Sequence, residues 1–268
     1  MSHEASLPPG VERIRAPNAG PLTLSGTNTY LVGEPAYVID PGPADAEHLA
    51  RVLEAGERRG GIAAIVLTHR HLDHAGGVAL VRERTGASLA ASPVPDSAAG
   101  AFEEPGARDL VPDVVLRDGD RLGPLKAIET PGHSPDHLCL LAGAVLFCGD
   151  TVLGEGSVFI PPGRGALRAY MESLQKLSAL RLTALCPGHG PVVPDPEAKL
   201  REYIEHRLER ERRLVAALDR GLRKRDEILD EVWDDASRAL RPAAALTLEA
   251  HLEKLEQEGR LPDGVERL

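Results

Sequence analysis

Along the chain, short apolar runs alternate with amphipathic stretches. Asn28–Val32 and Ala36–Ile39 are apolar runs that end in turn residues, Gly33-Glu34-Pro35 and Asp40-Pro41-Gly42. They predict two strands. Residues 44–59 place His48, Leu49, Val52 and Leu53 on one helical face and predict a helix. Residues 62–67 contain no polar position, the pattern of a strand buried on both faces. A helix over 74–85 and a strand over Ser88–Ala91 follow. Residues 92–109 are rich in Pro, Gly, Ala and acids and predict a long loop overhanging a site. Between 114 and 148 the pattern predicts several short strands, with turns at Asp118-Gly119-Asp120 and Ala142-Gly143-Ala144. A helix over 168–180 and a strand end at 184–186 close this part.

The pattern changes near residue 195. Over Pro196–Asp219, residues Leu200, Tyr203, Ile204, Leu208, Leu214, Val215 and Leu218 recur at helical spacing. Two more helical stretches, 228–233 and 243–257, precede a Gly-containing hairpin over 259–265. Three helices and a hairpin are the layout of a small winged-helix appendix; a plain helical cap fits the pattern nearly as well. The expected organisation is a catalytic unit over 1–195 and an appendix over 196–268, within the reach of a 268-residue chain.

Composition narrows the class. Apolar residues make up 42 % of the chain and aromatics 3 %, so the core is expected to be aliphatic. The net charge of -10 argues against whole-surface attraction to nucleic acid or anionic membrane. Cys139, Cys148 and Cys186 are too sparse for a disulfide framework. No apolar run is long enough to span a bilayer, and the first residues lack a secretory pattern. The expected compartment is the cytoplasm, with no membrane partner.

Candidate chemistry is concentrated in Thr68-His69-Arg70-His71-Leu72-Asp73-His74-Ala75-Gly76-Gly77. Three imidazoles and a carboxylate fall within six positions, directly after the buried strand. Packing so many ionisable groups together without a metal would leave polar atoms unpaired. Nitrogen plus carboxylate oxygen suits zinc, and also iron or manganese. Three further candidates, His133, Asp150 and His189, each follow a strand and sit among Gly and Pro. Seven ligands suffice for two adjacent metals that share a carboxylate. His3, His48, His206 and His251 lie outside any such pattern and receive no role.

Taken together, His-x-His-x-Asp-His, the later Gly-His, Gly-Asp and Pro-Gly-His-Gly resemble the metallo-β-lactamase superfamily. The resemblance implies an α/β fold: a four-layer αβ/βα sandwich with metals at the sheet edges. It implies that His69, His71 and His133 hold one metal, that Asp73, His74 and His189 hold the other, and that Asp150 bridges them. A closer similarity, to the β-lactamase-like protein 2 family, is carried by Pro131–His137, by 149–157, by Tyr170-Met171-Glu172-Ser173-Leu174 and by 187–207. That family ends in a small winged-helix region; its animal members are described as single-strand endoribonucleases, and fungal relatives release thioesters.

The chemistry so implied is attack by a metal-bound hydroxide, with two Zn2+ (or Fe or Mn) as cofactors and Asp73 as a hydrogen-bond acceptor for the nucleophile. His137 is either a group acting on the developing oxyanion or on a ligand, or a packed strand histidine. Asp136 is a weaker candidate for orienting a ligand imidazole. A β-lactamase role is argued against by the missing leader and by Asp73, a flavodiiron role by His71, and a glyoxalase II role by unmatched glutathione-binding groups.

Two substrates compete. A small-molecule thioester or ester fits the acidic charge and the scarcity of aromatics. Single-stranded RNA fits the full-length resemblance and a basic run, eight cations against three acids between Arg207 and Arg225. That run also reads as a solvated helix face with pairs such as Glu209 with Arg213. Duplex DNA is not expected, because 226–235 and 249–258 are acidic. The appendix is expected to pack beside the site or to form a homodimer contact. Arg164, in a loop at the pocket mouth, is a candidate contact for an anionic substrate group.

Overall fold

The computed structural model describes residues 6–93, 110–163 and 165–268. Most of the expected 92–109 loop, His3 and Arg164 therefore lie outside the described residues.

Strand β1 (Val11–Arg15) pairs antiparallel with β2 (Asn28–Val32), which turns back into β3 (Ala36–Ile39). Helix α1 (Ala46–Arg58) then crosses over to β4 (Ile62–Val66), parallel to β3. Asp45 sets the helix start: its carboxylate accepts the His48 N–H at 2.8 Å, an N-cap inside the stretch that reads as one helical run over 44–59. The run expected as one helix over 74–85 is two helices, α2 (Leu72–Ala75) and α3 (Val78–Thr85). The break is at Gly76-Gly77, where a Cβ on Gly77 would sit 2.5 Å from Leu49. The bend thus lets this segment pack against α1, with the ligand residues ahead of it.

Strands β5 (Ser88–Ala91) and β6 (Val114–Val115) complete a six-stranded sheet of order β1-β2-β3-β4-β5-β6. The second sheet comprises β7 (Arg121–Leu122), β8 (Leu125–Glu129), β9 (Leu138–Ala142) and β10 (Val145–Gly149). After helix α4 (Ala166–Ser178), β11 (Ala184–Pro187) adds in parallel to β10, giving the order β11-β10-β9-β8-β7.

Tyr30, Val66 and Ala90 of the first sheet meet Leu125, Leu138 and Phe147 of the second in a shared core. Leu49 and Val81 cover the outer face of the first sheet from α1 and α3. Leu167, Tyr170 and Leu174 of α4 cover the second sheet together with Leu200 and Tyr203. These are the four layers of an αβ/βα sandwich. The core is mostly aliphatic, with Tyr30, Phe147, Tyr170 and Tyr203 as its largest fully buried side chains. Cys139, Cys148 and Cys186 are buried free thiols within it.

Leu200 and Tyr203 belong to α5 (Pro196–Asp219), which spans two cores. Its first half packs on α4, and its second half, Leu214, Ala217 and Leu218, packs on α6 (Arg225–Val232) and α7 (Arg241–Gln257). The expected hairpin at 259–265 is not a paired strand unit. These residues run as turns, and Glu266 N–H donates back to Arg223 O at 2.8 Å. No helix among the described residues is long and apolar enough to cross a membrane.

Candidate metal centre

Strand β4 delivers its C-terminal end to the gap between the two sheets. Leu138 N–H of β9 donates to Thr68 O at 2.7 Å, joining the sheets there. The His69–His74 segment begins at this rigid point. His69 Nε2 and His133 Nε2 both lie 3.0 Å from His71 Nδ1. Next to this triad, His189 Nε2 lies 3.3 Å from His74 Nε2 and 3.2 Å from Asp73 Oδ2. Asp150 stands between the groups: Oδ2 is 3.6 Å from His133 Nε2 and 3.3 Å from His189 Nε2. The structure thus brings all seven expected ligands into one cluster, in two groups that can each hold a metal ion: His69, His71, His133 and Asp73, His74, His189.

The separations suit metal ligation. Ligands about 2.0–2.1 Å from a tetrahedral metal lie roughly 3.4 Å apart. Asp150 Oδ1 is buried without a hydrogen bond, and an orphaned carboxylate oxygen at such a site fits a cation.

Three of the imidazoles, His69, His74 and His133, are aimed by their other nitrogens. Asp40 accepts the Thr68 N–H at 2.7 Å and the Thr68 hydroxyl at 2.6 Å. With its only proton committed to Asp40, Thr68 Oγ1 accepts from His69 Nδ1 at 3.0 Å, which leaves the His69 Nε2 lone pair facing the cluster. Asp40 Oδ2 also takes His74 Nδ1 at 2.9 Å, and Phe159 O takes His133 Nδ1 at 3.0 Å. Asp40 is the functional residue that the sequence does not single out, because Asp40-Pro41-Gly42 reads as a turn. Its one visible signal is a carboxylate at the end of an apolar strand, with a backbone φ of 50°. Gly188 permits the closest approach: a Cβ there would lie 2.6 Å from Asp150 Oδ1.

The two halves of the cluster differ electrostatically. Burial and the neighbouring His71 push His133 down to about 4. Burial works against the cation of His189, but Asp150 and Asp73 raise it to about 9. Burial likewise opposes ionisation of Asp73, yet His74 and His189 pull its carboxyl down to about 2. The carboxylate half therefore attracts positive charge, and the field that favours imidazolium also favours a divalent metal.

His137 is fully enclosed. Its Nε2 accepts the Asp150 N–H at 3.1 Å, and its Nδ1 lies 2.9 Å from Thr130 Oγ1 and 3.2 Å from Thr151 Oγ1. Both nitrogens are taken within the fold, so of the readings offered for His137 the geometry favours the one that acts on a candidate ligand: the ring holds the Asp150 backbone in place. Asp136 is corrected too. Its carboxylate pairs with buried Arg70 at 2.8 Å, not with a ligand imidazole, while Arg70 also donates to Ser92 O at 2.8 Å.

The cluster opens into a cavity of about 770 Å3 that extends to α5, Trp233 and α7, so the C-terminal segment packs beside the site. Several cations of the basic run are tied into the fold. Arg207 donates to Val158 O, Arg210 to Val232 O and Asp235, and Arg213 to Glu231 O and Asp234. Arg220 pairs with Glu231 and Arg212 with Glu209. The acids of 226–235 are thus the partners of the basic run, and Glu209 pairs with Arg212 instead of the expected Arg213.

Residues 22–189 match the metallo-beta-lactamase superfamily, and residues 225–262 match the beta-lactamase associated winged helix domain. The beta-lactamase-like protein 2 homolog of Drosophila melanogaster is 34 % identical over 95 % of this chain and 90 % of its own length. An atrochrysone carboxyl ACP thioesterase of Aspergillus fumigatus is 35 % identical over 84 % of this chain and 70 % of its own. A metallo-beta-lactamase family protein of Thermus thermophilus superposes with a TM-score of 0.75 at 25 % identity, over 95 % of each chain. Ligand geometry, four-layer fold and sequence similarity agree: the chain belongs to the metallo-β-lactamase superfamily, in the branch that carries the associated winged-helix domain.

Proposed function

We propose that the protein is a two-metal hydrolase of a small-molecule thioester or ester. One observation carries this reading: the cavity over the ligand cluster is concave and walled largely by aliphatic and aromatic side chains, among them Leu22, Leu153, Phe159 and Trp233. Its volume falls in the range of small-molecule sites. Of its acidic lining, Asp235 pairs with Arg210 and Glu202 with Lys199, while Glu155 adds a negative charge that opposes a polyanion. Of the arginines that line it, Arg210 is paired with Asp235 and donates to Val232 O, and Arg207 donates to Val158 O. An Aspergillus fumigatus relative is named as a thioesterase.

His69, His71 and His133 would hold one metal and Asp73, His74 and His189 the other, with Asp150 between. Bound there, the ions supply a Lewis acid and a nucleophile that is ready at neutral pH. The chain supplies the rest. Asp73 stays ionised and is partly open to the cavity, with a side-chain exposure of 29 %, so it can accept a hydrogen bond from an attacking water and orient it. Asp40, Thr68 and Phe159 O hold His69, His74 and His133 at fixed angles. The acyl carbon gains the water oxygen and loses the thiol or alcohol, which leaves protonated.

The test is thiol release from an acyl thioester by metal-reconstituted protein, run beside cleavage of labelled single-stranded RNA, each with an identically purified Asp150→Ala variant. Thioester cleavage by the wild type alone is the expected result. RNA cleavage by the wild type alone, without thioester turnover, would overturn the reading in favour of an endoribonuclease.

A further inference from the structure

The cavity has two ends built by different parts of the chain. One end is the ligand cluster. The other is a helix face: Leu240, Ala243, Ala244 and Thr247 follow the i, i+3, i+4, i+7 spacing along the start of α7 and all line the cavity. Leu22 and Leu24, in the segment between β1 and β2, line it as well. Leu22 is 57 % exposed, which is unusual for a large aliphatic side chain at a concave site and suits contact with an apolar ligand.

We infer that the C-terminal segment gauges the length of the substrate's acyl group: a straight aliphatic chain, its carbonyl at the ligand cluster, extends past Leu22 and Leu24 onto the α7 face, where Ala243 limits how far it reaches. This rests on the thioester or ester reading and names the substrate class within it. The tail is uncharged, because the positions it meets, Leu22, Leu24, Leu240, Ala243, Ala244 and Thr247, carry no charge. Alanines at 243 and 244 leave room at the helix face that any larger side chain would fill. Ala243 is half-buried and open to the cavity, whereas Ala244 is 8 % exposed and also packs in the core between α5, α6 and α7. Ala243 is therefore the position where added volume shortens the slot with least disturbance to the fold.

The single tryptophan of the chain, Trp233, lines the same cavity, so its fluorescence reports occupancy without any turnover. Zinc-loaded protein is titrated with linear carboxylates from butanoate to dodecanoate, which are the acids that hydrolysis would release. Affinity is expected to rise by up to about fourfold per added methylene, and then to stop rising at a limiting length. Ala243→Phe is expected to move that limit to a shorter chain, weakening the longest acids by roughly tenfold or more, about two methylenes' worth, while leaving butanoate unchanged. Leu240→Ala is expected to move the limit the other way, and it keeps the test valid if the phenylalanine variant does not fold. A flat series in the wild type, or variant series that superimpose on it, would overturn the inference. A length limit that shifts as stated, with no turnover of any acyl thioester, would contradict the hydrolase reading and leave the slot standing. Turnover that ignores both chain length and Ala243→Phe would do the reverse.

Discussion

Asp40 is the residue on which the ligand geometry turns. One carboxylate fixes Thr68 through its backbone and hydroxyl, and through them His69, while its second oxygen holds His74 directly. It thus orients one imidazole in each half of the cluster. Replacing Asp40 with Ala should weaken metal affinity by about 10–100-fold, measured by competition with a chromophoric chelator; unchanged affinity would remove Asp40 from the account. His137 acts through Asp150. His137→Ala leaves the buried Asp150 N–H without its acceptor, so metal affinity should fall while substrate KM at saturating metal stays the same. A change in KM alone would place the ring in contact with substrate, against the geometry. The clustered histidines and carboxylates were legible as a set in the sequence, because their types and spacing are those that metal ligation would require. Asp40 was not, because its role comes from a contact with residues 28 and 34 positions away that no local pattern encodes.

Helix α5 shows how an element can be legible while its purpose is not. Its apolar spacing predicts a helix with the bounds observed, yet its cations resemble a phosphate track. In the fold they bind α6, whose acids have no evident role in the sequence alone. These contacts differ in weight. Arg210 is buried and satisfies Val232 O as well as Asp235. Arg212 and Glu209 form an exposed pair. Arg210→Ala should therefore destabilise the protein by about 1–3 kcal/mol through an orphaned carbonyl and lost packing, and Arg212→Ala by less than about 0.5 kcal/mol. Chemical denaturation of both variants measures this, and equal losses would contradict the assignment. The split of the expected 74–85 helix has a similar origin. Its period is helical throughout, but the approach of Leu49 to Gly77 is a tertiary event.

For the whole molecule, the joint between the two cores carries a dependence on pH. Burial, reinforced by Arg207 and Arg210, lowers His206 to about 4; Asp235 and Glu202 oppose this only in part. Burial, again with Arg207 nearby, also lowers His251, whose two ring nitrogens have no hydrogen-bond partner. A histidine held below its ordinary value of 6.5 binds fewer protons folded than unfolded. Its contribution to stability is present above pH 6.5 and is lost as pH falls toward the folded value, here about 4 for His206. Melting temperature should therefore decline from pH 6.5 to 4, and less steeply in His206→Gln; parallel slopes would show that His206 contributes nothing. The change of pattern near residue 195 marks the start of α5, which packs in both cores. The appendix is expected from the sequence to pack beside the site or to form a dimer contact; which of its residues line the cavity was not legible, since the cavity is formed by segments more than 200 residues apart in sequence, such as Leu22 and Ala243.

The central claim, that this cluster is a two-metal hydrolytic site, is tested most directly by adding zinc to chelator-stripped protein and following both bound metal and thioester turnover. Turnover that climbs to a plateau as a second equivalent binds is the predicted result. A plateau reached with one equivalent, or undiminished turnover in the stripped protein, would contradict it.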